Sequence, residues 1–142
     1  MALVAAAGCA STSSAAAPSC GLVSASVIKS VLGVTVGPLK ATTSHGETYC
    51  SYSVGGVPDA LHVVFDLNTK RPAFDATSAS APFPGKKTIA GVGDAAYTYS
   101  LGSGTFGTTT LSLIKGTTEL TITAASTLAK EKTLARRLLP SL

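Results

Sequence analysis

Strict alternation of apolar and polar residues is the feature that most narrows the fold. From Thr48 to Val54, Cys50, Tyr52 and Val54 share one face, while Tyr49, Ser51 and Ser53 share the other. Leu61, Val63 and Phe65 alternate in the same way between Ala60 and Asp66, and Leu120 and Ile122 do so between Thr118 and Ala124. Successive side chains of a strand point to opposite faces, so a period of two predicts strands of a sheet covered on one face only. Ala95–Leu101 and Phe106–Ile114 read as two more strands, separated by Gly102-Ser103-Gly104. The Gly55-Gly56-Val57-Pro58-Asp59 segment turns the first two alternating runs into an antiparallel hairpin. Elsewhere the pattern is weaker. Val34–Val36 is expected to be a short strand ended by Gly37-Pro38, residues 41–46 a polar loop, and Thr88–Ala90 a short strand. A short helix is expected around Ala73–Ala76, within a region bounded by Pro72, Pro82 and Pro84.

Two segments carry the other period. In Leu22–Leu32, Val23, Val27, Ile28, Val31 and Leu32 fall at helical spacing. Ser24 suits the N-cap, with Val23 and Ile28 as a hydrophobic staple, and Gly33 suits a left-handed C-terminal cap. In Ser126–Leu139, Leu128, Leu134, Ala135, Leu138 and Leu139 form an apolar side opposite Lys130, Thr133, Arg136 and Arg137. The basic residues of the last turn complement the helix dipole. A helix with one apolar stripe and a sheet with one apolar face must bury those surfaces against each other. The expectation is an α+β fold: an antiparallel β-sheet with the N-terminal and C-terminal helices packed on one face.

The cysteines number three, Cys9, Cys20 and Cys50. An odd count in an exported protein calls for a separate use of one thiol. Leu3-Val4-Ala5-Ala6-Ala7-Gly8-Cys9 supplies it, because an apolar run closing on small residues before a cysteine resembles a bacterial lipobox. In that signal the thiol carries a lipid and the cysteine becomes the first mature residue. No basic residue precedes Lys29, so the true start of the signal peptide is expected upstream. With Cys9 lipidated, Cys20 and Cys50 are left as a pair. Their bridge would stabilise the fold by roughly 3–4 kcal/mol in the chain-entropy model. A zinc site from Cys20, His45, Cys50 and His62 lacks the paired ligand spacing such sites use, so no metal and no cofactor is expected.

These readings divide the chain into residues 1–9, the signal remnant and lipobox; 10–19, a flexible Ala/Ser/Thr linker; and 20–142, a single extracytoplasmic α+β domain. About 120 residues suffice for one domain with a real core. Charged residues are only 13% of the chain, which suits an exported β-rich domain better than a cytosolic enzyme. The net charge of +4 is spread along the sequence and has no recognition motif or aromatic interleaving, so nucleic acid is not an expected partner. The expected location is the cell envelope, with the lipid on Cys9 holding the domain at the outer face of the cytoplasmic membrane or at an outer membrane.

Cys20-Gly21-Leu22, Leu32-Gly33, Cys50-Ser51-Tyr52 and Gly91-Val92-Gly93-Asp94-Ala95-Ala96-Tyr97, followed by a terminal helix, resemble a pattern in small uncharacterised lipoproteins of actinobacteria. In that pattern a Cys-x-Leu helix start pairs with a Cys-Ser-Tyr strand. The resemblance spans roughly residues 20–139 and implies no enzyme activity.

Catalytic chemistry finds little support in the residues. Gly91-Val92-Gly93 lacks a third glycine and a following long helix, and Asp94 is expected to bond nearby backbone N–H groups in a tight turn. No serine sits in a nucleophile elbow. His62 alternates with Leu61 and Val63, which places it on the outer face of a strand, and His45 lies in a Ser-His-Gly loop. The expected function is therefore non-catalytic: a membrane-anchored envelope lipoprotein whose exported domain binds an envelope protein or a small apolar ligand. The alternative is a secreted hydrolase built on His45 or His62, with Asp59, Asp66 or Asp94.

Overall fold

The chain enters its first helix through a 3-10 turn. The computed structural model describes residues 17–80, 82–102 and 107–142, so Cys9, expected to be lipidated, and most of the expected linker lie outside the described residues. Cys20–Val23 forms the 3-10 turn, and helix α1 spans Ala25–Leu32. The long helix expected over Leu22–Leu32 is thus broken at Ser24. That residue is extended (ψ 159°), and its side chain caps the helix by accepting from the Val27 N–H at 3.4 Å. Val23 and Ile28, on either side of the cap, are fully buried. Gly33 closes the helix at φ 75°, a left-handed conformation that costs a residue without Cβ little, and its N–H reaches the Lys29 carbonyl.

The strands are β1 (Val36–Ser44), β2 (Glu47–Val54), β3 (Val57–Asp66), β4 (Lys87–Ile89), β5 (Ala95–Leu101), β6 (Thr108–Lys115) and β7 (Thr118–Ala124). Helix α2 (Arg71–Ser80) lies between β3 and β4, and α3 (Leu128–Leu138) follows β7. The strands form one sheet in the order β1-β2-β3-β7-β6-β5-β4, with antiparallel neighbours throughout. The fold is α+β.

Two boundaries near the first hairpin differ from expectation. Of residues 41–46, expected to be a loop, 41–44 belong to β1 and only His45-Gly46 form a turn, and the strand passes through Gly37-Pro38 rather than ending there. β1 is an edge strand, exposed along nearly its whole length, so neither face demands the apolar alternation that marks a strand. The turn after β2 is only Gly55-Gly56, both at positive φ (58° and 80°), the geometry favoured in two-residue hairpins. Val57 already pairs with Val54.

The core gathers Ile28 and Leu32 of α1 and Leu134, Ala135 and Leu138 of α3 with Leu61, Val63, Phe65, Leu111, Leu113, Leu120 and Ile122 of the strands. Val27, Val31 and Leu128 are only partly buried against it. Cys20 and Cys50 are disulfide-bonded inside this cluster, with Cα atoms 5.5 Å apart. The Tyr52 hydroxyl donates to the Val23 carbonyl at 2.5 Å, a second tie between the 3-10 turn and β2. Lys130 Nζ donates to the Leu32 carbonyl at 3.0 Å, satisfying a carbonyl at the C-terminal end of α1.

The expectation of a sheet covered on one face only is corrected. Phe74 of α2 packs with Tyr97 and Ile114 in a separate cluster. Tyr97 and Ile114 alternate with the core residues Ala96 and Leu113, so this cluster belongs to the opposite face. Phe83 extends the cover by stacking on Tyr99, with ring centroids 3.9 Å apart. The helix α2 grew past its expected core of Ala73–Ala76 because Phe74 has this site to fill.

Candidate functional site

Hydrophobic strand ends and a hairpin tip leave an apolar cleft of about 270 Å³. Val54 of β2 and Val57, Ala60 and Leu61 of β3 meet Thr108 of β6, Ala124 of β7, the following Ala125, and Val34 between α1 and β1. Among these side chains only Thr108 carries a polar group. Val57, one of the lining residues, is 58% exposed. Leu101, the register partner of Thr108, is 43% exposed. The volume is slightly below the ~300 Å³ at which pockets for drug-sized ligands begin, which suits a smaller hydrocarbon.

A second concavity, of about 180 Å³, lies on the opposite face of β2 and is lined by Pro38, Lys40, Ser51, Ser53, Pro58 and Asp59. It arises from two breaks in the ladder that face the same residue. Opposite Ser53, β1 carries Gly37 and Pro38 between its Val36 and Leu39 pairings. On the other side, β3 carries Pro58, Asp59 and Ala60 between its Val57 and Leu61 pairings. Extra residues bulge a strand and re-aim its side chains. Asp59 sits at φ 52°, in the left-handed region that Asp tolerates better than most residues. Its Oδ1 accepts from the Ser51 hydroxyl, and Ser51 is 1% exposed.

His62 is the register partner of Ser51 and stacks on Tyr49 with centroids 5.4 Å apart. Burial pushes the imidazole below its usual range, against a smaller raising effect from Asp59. Its Nδ1 is buried without a hydrogen-bond partner among the described residues. Burial, with Asp59 second, raises the Tyr49 phenol, which keeps it protonated.

The residues proposed for catalysis do not assemble into a hydrolytic site. His45 occupies the β1–β2 turn at φ 51°, where Nδ1 pairs with the neighbouring Ser44 hydroxyl at 2.7 Å. His62 stands at the Ser51 level of the sheet, away from that turn. Asp66 accepts from the Asn68 N–H and Asp94 from the Gly116 N–H, so both serve turns, as expected of Asp94. Ser51 donates to Asp59 rather than to His62, the reverse of what a general base requires.

One group was missed entirely. Glu131 is 0% exposed, and neither carboxyl oxygen has a hydrogen-bond partner among the described residues. Burial pushes its pKa up to about 9, so the side chain is a neutral acid at pH 7. Its position three residues after Leu128 and three before Leu134 places it on the apolar stripe, a signal that was present in the spacing. Among the described residues no group of three or more His, Cys, Asp or Glu side chains could hold a metal ion, and no helix is long and apolar enough to cross a membrane.

No protein-family model, no curated protein and no solved structure matches the chain.

Proposed function

We propose that this chain is a lipid-anchored bacterial envelope protein whose exported domain, non-catalytic, holds a small apolar ligand. The apolar cleft at the β2–β3 hairpin tip carries the reading. It is lined almost wholly by aliphatic side chains, among them the largely exposed Val57. The disulfide between Cys20 and Cys50 fits an oxidising compartment outside the cytoplasm. The lipobox-like Ala6-Ala7-Gly8-Cys9 accounts for the remaining thiol and provides the membrane partner. The kinship proposed is with the small actinobacterial lipoproteins that share the Cys-Ser-Tyr and Gly-x-Gly-Asp-x-Ala motifs. The architecture belonging to this reading has α1 and α3 side by side on one face of the sheet. Their shared burial with the inward strand residues and the Lys130–Leu32 hydrogen bond support it.

Two measurements test the proposal. Titration with decanoate, followed by amide chemical shifts, should move Val57, Leu61 and Ala124 saturably, and Val57→Asp should abolish the effect. Shifts spread over the whole surface, or unchanged by the substitution, would end the cleft reading. Expressed behind a complete signal peptide, the protein should partition into detergent and incorporate labelled palmitate, and Cys9→Ser should remove both properties. Equal labelling of wild type and variant would remove the anchor.

A further inference from the structure

The polar concavity between the two bulges is independent of the apolar cleft and shares no lining residue with it. Its walls carry one cation, Lys40, and one anion, Asp59. Both belong to the same ligand-sized space, yet they form no ion pair with each other, and Lys40 has no hydrogen-bond or ion-pair partner among the described residues. Asp59 accepts from Ser51 at Oδ1, and its Oδ2 has no hydrogen-bond partner among the described residues. The Ser53 hydroxyl is a further uncommitted polar group. It stands where Gly37 leaves room, since a Cβ on that residue would run into the Ser53 oxygen. Pro38 and Pro58 form the apolar walls, and each fixes its own backbone φ, so the cavity is shaped by stiff elements.

This arrangement discriminates among ligand charges. A simple anion would be attracted to Lys40 and repelled by Asp59, and a simple cation would meet the opposite difficulty. A neutral polyol would leave both charges uncompensated. A molecule bearing both signs satisfies both walls at once, and complementarity of this type confers specificity. Ser51, buried and bonded to Asp59, fixes the carboxylate in place, so little order has to be created on binding. The two bulges add to the argument: they interrupt hydrogen-bonded pairing on both sides of the same β2 residue, and bulges concentrate where a strand must re-aim side chains. We propose that the concavity lined by Lys40, Ser51, Ser53 and Asp59 binds a small zwitterion, with its carboxylate at Lys40 and its ammonium at Asp59, as in a free α-amino acid.

The test is a set of amide chemical-shift titrations of the full chain with L-alanine, acetate, methylammonium and glucose. L-alanine should give saturable shifts confined to the neighbourhood of Lys40, Ser51, Ser53 and Asp59. Acetate and methylammonium, each matching one wall and opposing the other, should bind at least about tenfold more weakly, the worth of one charge-assisted hydrogen bond. Lys40→Gln and Asp59→Asn should each lose a similar factor; both retain side-chain size, and Asn tolerates the positive φ of position 59. Arg136→Gln, at an exposed position of α3, should leave L-alanine binding unchanged. Absence of a saturable L-alanine shift would overturn the proposal, as would equal binding of acetate or methylammonium, tighter binding of glucose, or unaltered binding by the two variants with native-like spectra.

Discussion

The two faces of the sheet are built on different physics. On the first face Val63, Ile122 and Leu111 are 0% exposed and belong to one buried apolar cluster with Ile28, Leu32, Leu134 and Leu138. The face bearing His62, Thr123 and Thr110 is laced by side-chain hydrogen bonds. Thr110 meets Thr123 at 3.0 Å, Ser112 meets Thr121 at 3.1 Å, and Ser112 also donates to Glu119 at 2.8 Å. Its β5–β6 end is covered by aromatic packing from Phe74 and Phe83. Apolar burial scales with the area removed from water, whereas a hydroxyl pair exchanges hydrogen bonds to water for a mutual one and gains little net. The first face therefore holds the fold, and the second is free to carry polar groups such as Lys40, which has no hydrogen-bond or ion-pair partner among the described residues.

Truncations on the first face should do the most damage. Ile28→Ala is expected to lower stability by about 2–5 kcal/mol, as buried truncations do. Replacing both Cys20 and Cys50 with Ala should cost about 2–5 kcal/mol, the range for native bridges in small exported domains. Urea melts give both values. Costs near those of a surface substitution would dissolve the contrast between the faces.

Glu131 is the exception on the hydrocarbon face and sharpens the comparison. Its folded pKa of about 9 lies above the ordinary 4.5, so the folded protein holds a proton that the unfolded chain releases between those values. Stability should therefore fall as pH rises from about 4.5 to 9, with this group contributing a slope of about 1.4 kcal/mol per pH unit. The other titratable groups on elements packed against α3 do not pair with it. Lys29 donates to Thr35, Lys115 to the Leu139 carbonyl, and Glu119 accepts from Thr69 and Ser112. Glu131→Gln should flatten that slope. Glu131→Leu should raise stability at pH 7 by about 1–3 kcal/mol, because it removes a buried group without partners. A wild-type melt that does not change between pH 5 and 9 would contradict this account of the side chain.

The smallest effect belongs to the hydroxyl face. Thr121→Ala removes one of the two partners of Ser112 and leaves Glu119 in place, so it should cost under about 1 kcal/mol. A loss matching that of Ile28→Ala would mean that the two faces share the load equally.

The same difference explains what could be read from the sequence. Strands with one buried face announce themselves, and Ala95–Leu101 and Thr118–Ala124 have their expected bounds. β1 was hidden because a strand exposed on both sides has no period to show. The hairpin turn looked too long because Pro58 and Asp59, ordinary turn residues, are used inside a bulged strand instead. Glu131 fell on a legible helical stripe, but its charge disguised a buried position. The polar concavity was beyond reach for another reason: Lys40 and Asp59 are brought to one space by two register shifts, and a register shift leaves no mark in a single sequence.

The bridge from Cys20 to Cys50 also decides how the domain carries mechanical load. Force applied to the N-terminal segment would enter the fold at Cys20, and the covalent link would pass it directly to β2, between β1 and β3. Residues 21–49, with α1 and β1 among them, lie outside the direct force path. Stretching them against the bridge would require breaking a bond rather than unzipping a helix. A domain wired in this way can be pulled from its N-terminal end while the helix nearest that end stays slack.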